Sequence, residues 1–204
     1  MKMSGIVFYG GFIMDFNQAN DYTNKLLDTK WVKWIHEGSF PARSSNLKTL
    51  NVLLGTISKH CPKCLNLDGC CFVREKCPTI PIHPNCHCEI IDIEGIDPTA
   101  NCAIEKFTNY IFDILKSKGK KRLFELWGYD ILDSSYLKKE FELQARTAYM
   151  VGNYSLGKID GFGQRITIRI KIGNKRTGGF VEFNSGWMMY PDGILILTTP
   201  YGDR

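Results

Sequence analysis

Seven of the eight cysteines fall between Cys61 and Cys88, together with His83 and His87. The stretch opens with Cys61-Pro62-Lys63-Cys64 and closes with His83-Pro84-Asn85-Cys86-His87-Cys88. It is rich in Pro, Asn, Asp and Gly, so it offers no apolar face into which so many thiols would pack. Two thiolates with two residues between them grip one tetrahedral ion, and a second pair from a later turn completes the shell. The spacing predicts a structural zinc site. Cys61, Cys64, Cys86 and Cys88 are the first choice of ligands, with His83 the substitute for one of them. Cys70, Cys71 and Cys77 lie between the pairs as bystanders, and Cys102 reads as a small buried hydrophobe.

Disulfides and free thiols stand as alternatives, because the cysteine count is even and close spacing also suits a secreted scaffold. Against disulfides, a chain of 204 residues can build a core without staples. The apolar run over residues 6–14 is broken by Gly10 and Gly11 and lacks a strong basic start, so no signal peptide is expected. No stretch reaches transmembrane length, and no membrane partner is expected.

Charge is informative once it is divided. Residues 1–102 carry 10 basic and 10 acidic side chains, while residues 103–204 carry 16 and 11. The whole excess belongs to the second half, much of it in Lys116-Ser117-Lys118-Gly119-Lys120-Lys121-Arg122. Such a run draws polyanions such as RNA, although it also suits a solvated helix end. The second half has no histidine, which excludes a His-paired ribonuclease there. Asp160, Glu182 and Asp192 are scattered, which argues against a two-metal nuclease. What remains is a metal-independent site of Lys, Arg, Gln, Thr and Tyr. Crowding of Lys118, Lys120 and Lys121 is the one place where neighbouring cations would lower a lysine pKa enough to move a proton.

The elements that must position these groups follow from periodicity. Residues 15–60 read as mostly helical, with Leu47, Leu50, Leu54 and Ile57 on one face and Trp31, Trp34 and Ile35 on another. Residues 89–101 read as a linker ending in the turn signal Asp97-Pro98-Thr99, with a domain boundary there. The stripe Ile104, Phe107, Tyr110, Ile111, Ile114 and Leu115 predicts a helix. A short helix over 122–127 stops at Gly128. A third starts at Asp133 or Ser134 and runs to about Tyr149, with Leu137, Phe141 and Ala145 inward. Ile166, Ile168, Ile170 and Ile172 then alternate with polar residues as a strand. Residues 180–187 and 194–199 complete a meander, with Trp187 in the core. The expected fold is α+β: a helical N-terminal region with a Cys-rich zinc loop (residues 61–88 within 1–100), then three helices packed on an antiparallel β-meander (101–204).

The segment Cys61-Pro62-Lys63-Cys64-Leu65-Asn66-Leu67-Asp68-Gly69, followed by the His83–Cys88 closure, resembles the C-terminal motif of phage minor head (head morphogenesis) proteins of the Mu type. The match covers about residues 50–92. The second half resembles small domains at the ends of phage-head and polymorphic-toxin proteins. Lys116–Gly128, Asp160–Ile166, Ser185–Met188 and Leu197–Gly202 carry that likeness. The Thr199-Pro200-Tyr201 closure is also similar to the barnase–EndoU–colicin–RelE ribonucleases.

That second resemblance implies roles. Lys118 or Lys120 would be the charged catalytic group, Arg165 a phosphate clamp beside Gln164, and Thr199 an orienting hydroxyl near Tyr201. It implies a phage- or prophage-encoded toxin that cleaves RNA without a metal. The expected partners are RNA and an immunity protein, or a phage or host protein. The expected location is the bacterial cytoplasm or the virion. The alternative is a phage head-associated or interaction protein without catalysis.

Overall fold

The computed structural model describes residues 6–9, 12–36, 61–84, 86–117 and 119–200. Among them no helix is long and apolar enough to cross a membrane. The fold is α+β, as the sequence predicts. Strands β1 (Ile6–Tyr9) and β2 (Phe12–Asp15) form a hairpin that leads into helix α1 (Phe16–Asp28).

Among the described residues of 15–60, the helical reading holds for α1 and fails after it. Trp31–His36 is a strand, β3, and not a second helical face. Its run of Trp, Val, Trp and Ile is rich in the aromatic and β-branched residues that strands favour. β3 sits at the centre of a three-stranded sheet between β4 (Cys71–Val73) and β5 (Cys88–Ile93), and this pairing overrides any local helical tendency. Leu47, Leu50, Leu54 and Ile57 lie outside the described residues. Between β3 and β4 a short helix, α2 (Pro62–Leu67), starts on Cys61.

The expected linker is also structured. β5 occupies its first part, and β6 (Thr99–Asn101) pairs parallel with the last strand, β10 (Ile194–Pro200). A boundary between residues 100 and 101 therefore cuts β6. The large sheet runs β6-β10-β9-β8-β7, with β7 Ser155–Asp160, β8 Gly163–Gly173 and β9 Phe180–Tyr190. β7 to β10 form the expected antiparallel meander, and β6 makes the sheet mixed at one edge. β7 carries no alternating pattern because most of it is exposed at the other edge.

Ile166, Ile168, Ile170 and Ile172 of β8 are buried, with Phe183, Trp187 and Met189 of β9 on the same face. Over this face lie α3 (Lys120–Leu126) and α4 (Ser134–Met150). α4 turns Leu137, Phe141 and Ala145 inward, as expected. Phe183 is the hub. It stacks on Trp127 at 5.2 Å and meets Phe124 at 5.8 Å and Phe141 at 5.6 Å, in the offset and edge geometries aromatic rings prefer.

The helix expected over 104–115 shortens to a π-turn at Phe107–Ile111. The Asp113 carboxylate accepts the N–H groups of Leu115 and Lys116, a side-chain turn that competes with helix continuation. Ile114 and Leu115 are consequently 76% and 89% exposed, outside the stripe assigned to them.

One buried cluster joins the small sheet to the large one. Trp31 meets Tyr149 of α4 edge-on at 5.3 Å, and the Tyr149 hydroxyl donates to the Cys71 carbonyl. Gly69 passes close under Pro191: at its φ of +76°, a Cβ would lie 2.9 Å from Pro191 Cβ, so only glycine fits.

Candidate metal centre and an open sheet face

α2 and β5 bring the sulfur ligands together. Cys61 precedes the helix, Pro62 opens it, and Cys64 is buried in its first turn. Cys86 and Cys88 flank His87 at the entry to β5, where alternate residues point the same way. Two triads of ligand atoms result: Cys61, Cys64 and His83, and Cys64, Cys86 and Cys88, each mutually within 4.8 Å. Cys64 belongs to both. Its Sγ lies 3.9 Å from Cys86 Sγ and 2.9 Å from His83 Nε2.

The other nitrogen of His83, Nδ1, lies 2.7 Å from the Pro84 carbonyl. A carbonyl only accepts, so Nδ1 carries the proton and, in the neutral ring, Nε2 turns its lone pair toward the sulfurs. A backbone carbonyl that fixes the tautomer in this way is a usual support of a metal-bound histidine.

The thiols divide into two kinds. The backbone N–H groups of Cys64 and Lys63 hold the Cys61 thiol below its ordinary range. Burial pushes Cys86 up, but the amides of Cys88 and Ile82 outweigh it and leave Cys86 lowered. Burial pushes Cys64 up strongly, and the thiols of Cys88 and Cys86 add to this. Burial also raises Cys88, opposed by Cys64 and by the Trp34 indole. That indole N–H is buried without a full hydrogen bond, and the Cys88 sulfur is the acceptor within its pull. A bound cation supplies what the two raised thiols need in order to ionise.

Cys64 and His83 also resemble a nucleophile and its base. The thiol is 1% exposed and its pKa is raised, the opposite of what a reactive cysteine requires. The cluster has the donors and spacing that could hold a metal ion. All eight cysteines are free. Cys70, Cys71, Cys77 and Cys102 stand outside both triads, and burial pushes Cys70 up to about 12 and Cys77 to about 11.

The residues assigned to catalysis scatter. Lys118 and Tyr201 lie outside the described residues. Lys120 belongs to the helical layer, where its Nζ sits 3.2 Å from the Tyr110 hydroxyl and 5.1 Å from that ring's centroid. Gln164 is 1% exposed on the core side of β8. Its amide donates to the Gly157 carbonyl at 2.8 Å, filling the bulge where β7 slips between Leu156 and Ile159. Gln164 is thus a strut of the sheet edge.

Arg165 and Thr199, in contrast, share the sheet face opposite the one that α3 and α4 cover, on strands separated by β9. Arg165 follows Gln164, so it points to the opposite side. Thr199 pairs with Gly186, and Gly186 with Thr167. A Cβ on Gly186 would lie 3.1 Å from Thr198 Oγ1 and 3.5 Å from Thr199 Cγ2, so the two threonines close over the glycine and leave no room for a side chain. Glycine inside a strand marks such close approaches, the one cue in the sequence to this feature. Arg169 and Lys171 continue the face, each paired with Glu182 at 2.8 and 3.8 Å.

Comparison of the chain with family models, with curated proteins and with solved structures returned no match.

Proposed function

We propose that the chain is a zinc-stapled protein whose open sheet face grips RNA, as a ribonuclease-like toxin would. The observation that carries the RNA reading is that Arg165 and Thr199 share the sheet face opposite the one α3 and α4 cover, Arg165 across from Met188 and Thr199 across from Gly186. A phosphate on this face would meet the Arg165 guanidinium, the fork that matches phosphate oxygens. The ion at the sulfur cluster is zinc in this reading. Two thiolates on tetrahedral zinc stand about 3.8 Å apart, given Zn–S bonds of about 2.3 Å, and Cys64 and Cys86 stand 3.9 Å apart. Bound there, zinc supplies folding free energy. The reaction itself needs no metal, and the cation proposed to move the proton is Lys118, since Lys120 belongs to the helical layer on the other side of the sheet.

The test is incubation of the zinc-loaded full chain with total tRNA and rRNA, with and without chelator. Cleavage in both conditions, reduced about a hundredfold by Lys118→Met, supports the enzymatic reading. One feature favours the second reading, a non-enzymatic phage head-associated or interaction protein. Arg165, Arg169 and Lys171 are each paired with a carboxylate, which leaves the face only mildly cationic. Salt-sensitive RNA binding without cleavage would decide for that form.

A further inference from the structure

The sulfur cluster and the open sheet face are connected through α2. This helix has six residues, too few to persist by its own hydrogen bonds. Two of the five metal donors, Cys61 and Cys64, sit at its start. Asn66, two residues after Cys64, reaches the β7–β8 hairpin and donates from Nδ2 to the Asp160 carbonyl at 2.6 Å. Asp160 is the knot of that hairpin. Its Oδ1 accepts the Phe162 N–H at 2.9 Å, and its Oδ2 accepts Arg165 Nε–H at 2.5 Å. The Arg165 side chain is 38% exposed and Asp160 19%, so the carboxylate sets the direction in which the guanidinium leaves the sheet.

We propose that Asn66 and Asp160 are positioning residues that make the Arg165 clamp depend on metal occupancy; this rests on the metal and RNA readings above. With the ion bound, the start of α2 is fixed and Asn66 braces the hairpin at the Asp160 carbonyl. Asp160 then holds Arg165 on the outer face of β8. When the ion leaves, the brace loosens and Arg165 loses its direction, although no metal touches RNA. The route is one short helix, one hydrogen bond and one ion pair.

The proposal is tested on the full chain by nuclear magnetic resonance of the Arg165 Nε–H, hydrogen exchange over residues 159–165, and RNA affinity. Chelation, and Asn66→Ala with zinc still bound, should each speed exchange of the Arg165 Nε–H. Each should weaken RNA binding about tenfold, the size of one charge-assisted contact. Asn66→Ala keeps all five donors, so it remains decisive if chelation unfolds the cluster. Zinc uptake and RNA binding that both persist in Asn66→Ala, with unchanged Arg165 exchange, overturn the coupling while leaving both parent readings intact. A wild-type chain that takes up no zinc, or one that binds zinc but no RNA, overturns the corresponding parent reading and the coupling with it.

Discussion

Around Cys64 the chain buries sulfur, whereas around Phe183 it buries rings. The small sheet has strands of six, three and six residues, and its corner at α2 holds thiols whose raised pKa values oppose ionisation. The large sheet has two strands of 11 residues under aromatic side chains from three directions. Apolar burial yields roughly 25 cal/mol per Å², so the large sheet gains its stability from area. An ion at the cluster would add to the small sheet what buried area supplies to the large one.

The strongest way to break this comparison is at Cys64, the sulfur common to both triads. Cys64→Ser should abolish zinc uptake and cost the small sheet on the order of 6 kcal/mol or more, since structural zinc contributes roughly 10–16 kcal/mol in small peptides. Hydrogen exchange read separately over β3–β5 and β8–β9 checks it. Equal loss of protection in both regions would show that they are one cooperative unit.

Phe183→Ala strikes the other region. Removing the hub ring should cost about 3–5 kcal/mol, seen as a lower denaturation midpoint, with about one zinc per chain retained. Loss of zinc in this variant would remove the distinction between the regions.

Gln144 sharpens the comparison at smaller scale. From α4 its amide takes both backbone groups of Lys171, donating to the carbonyl at 2.7 Å and accepting the N–H at 2.8 Å. It stands where β7 no longer covers the edge of β8. Gln144→Ala should cost about 1–3 kcal/mol, the penalty of unpaired buried groups. The Lys171 amide should lose exchange protection while the metal cluster is unchanged.

The smallest effect concerns pH. Burial pushes the Asp133 carboxyl up, but Lys175 and the Asp130 N–H outweigh it and hold it below the usual range. A depressed carboxylate pKa contributes stability above the unfolded value, about 3.9, and loses it as pH falls through the folded one. Asp133→Asn should therefore lower stability by less than about 1 kcal/mol at neutral pH and make no difference in strong acid. Thermal midpoints compared at pH 7 and pH 2 check this, and a larger gap at the lower pH would reverse the sign.

Much of the second half is legible in the sequence because its signals are local. The Ile166 to Ile172 alternation, the Leu137, Phe141 and Ala145 stripe, and the stop at Gly128 each sit within one element. The metal donors are legible for the same reason, since the spacing of Cys61, Cys64, His83, Cys86 and Cys88 states the chemistry. Trp31–His36 was misleading because its period fits two structures, and only pairing with β4 and β5 chooses between them. The stripe ending in Ile114 and Leu115 failed because a single carboxylate, Asp113, closes the turn first.

By itself the sequence determined which atoms can bind a metal and which faces of β8 and α4 are apolar. Those properties depend on residue type and on a period of two or 3.6. Only the tertiary structure decided that β6 joins the large sheet, that Arg165 and Thr199 share a face while Gln164 takes the other, and that Asn66 meets Asp160. Asn66 and Asp160 are 94 residues apart. Contacts at that separation are set by register and packing, and a shift of one residue in a strand would have turned Arg165 to the core and Gln164 to the solvent.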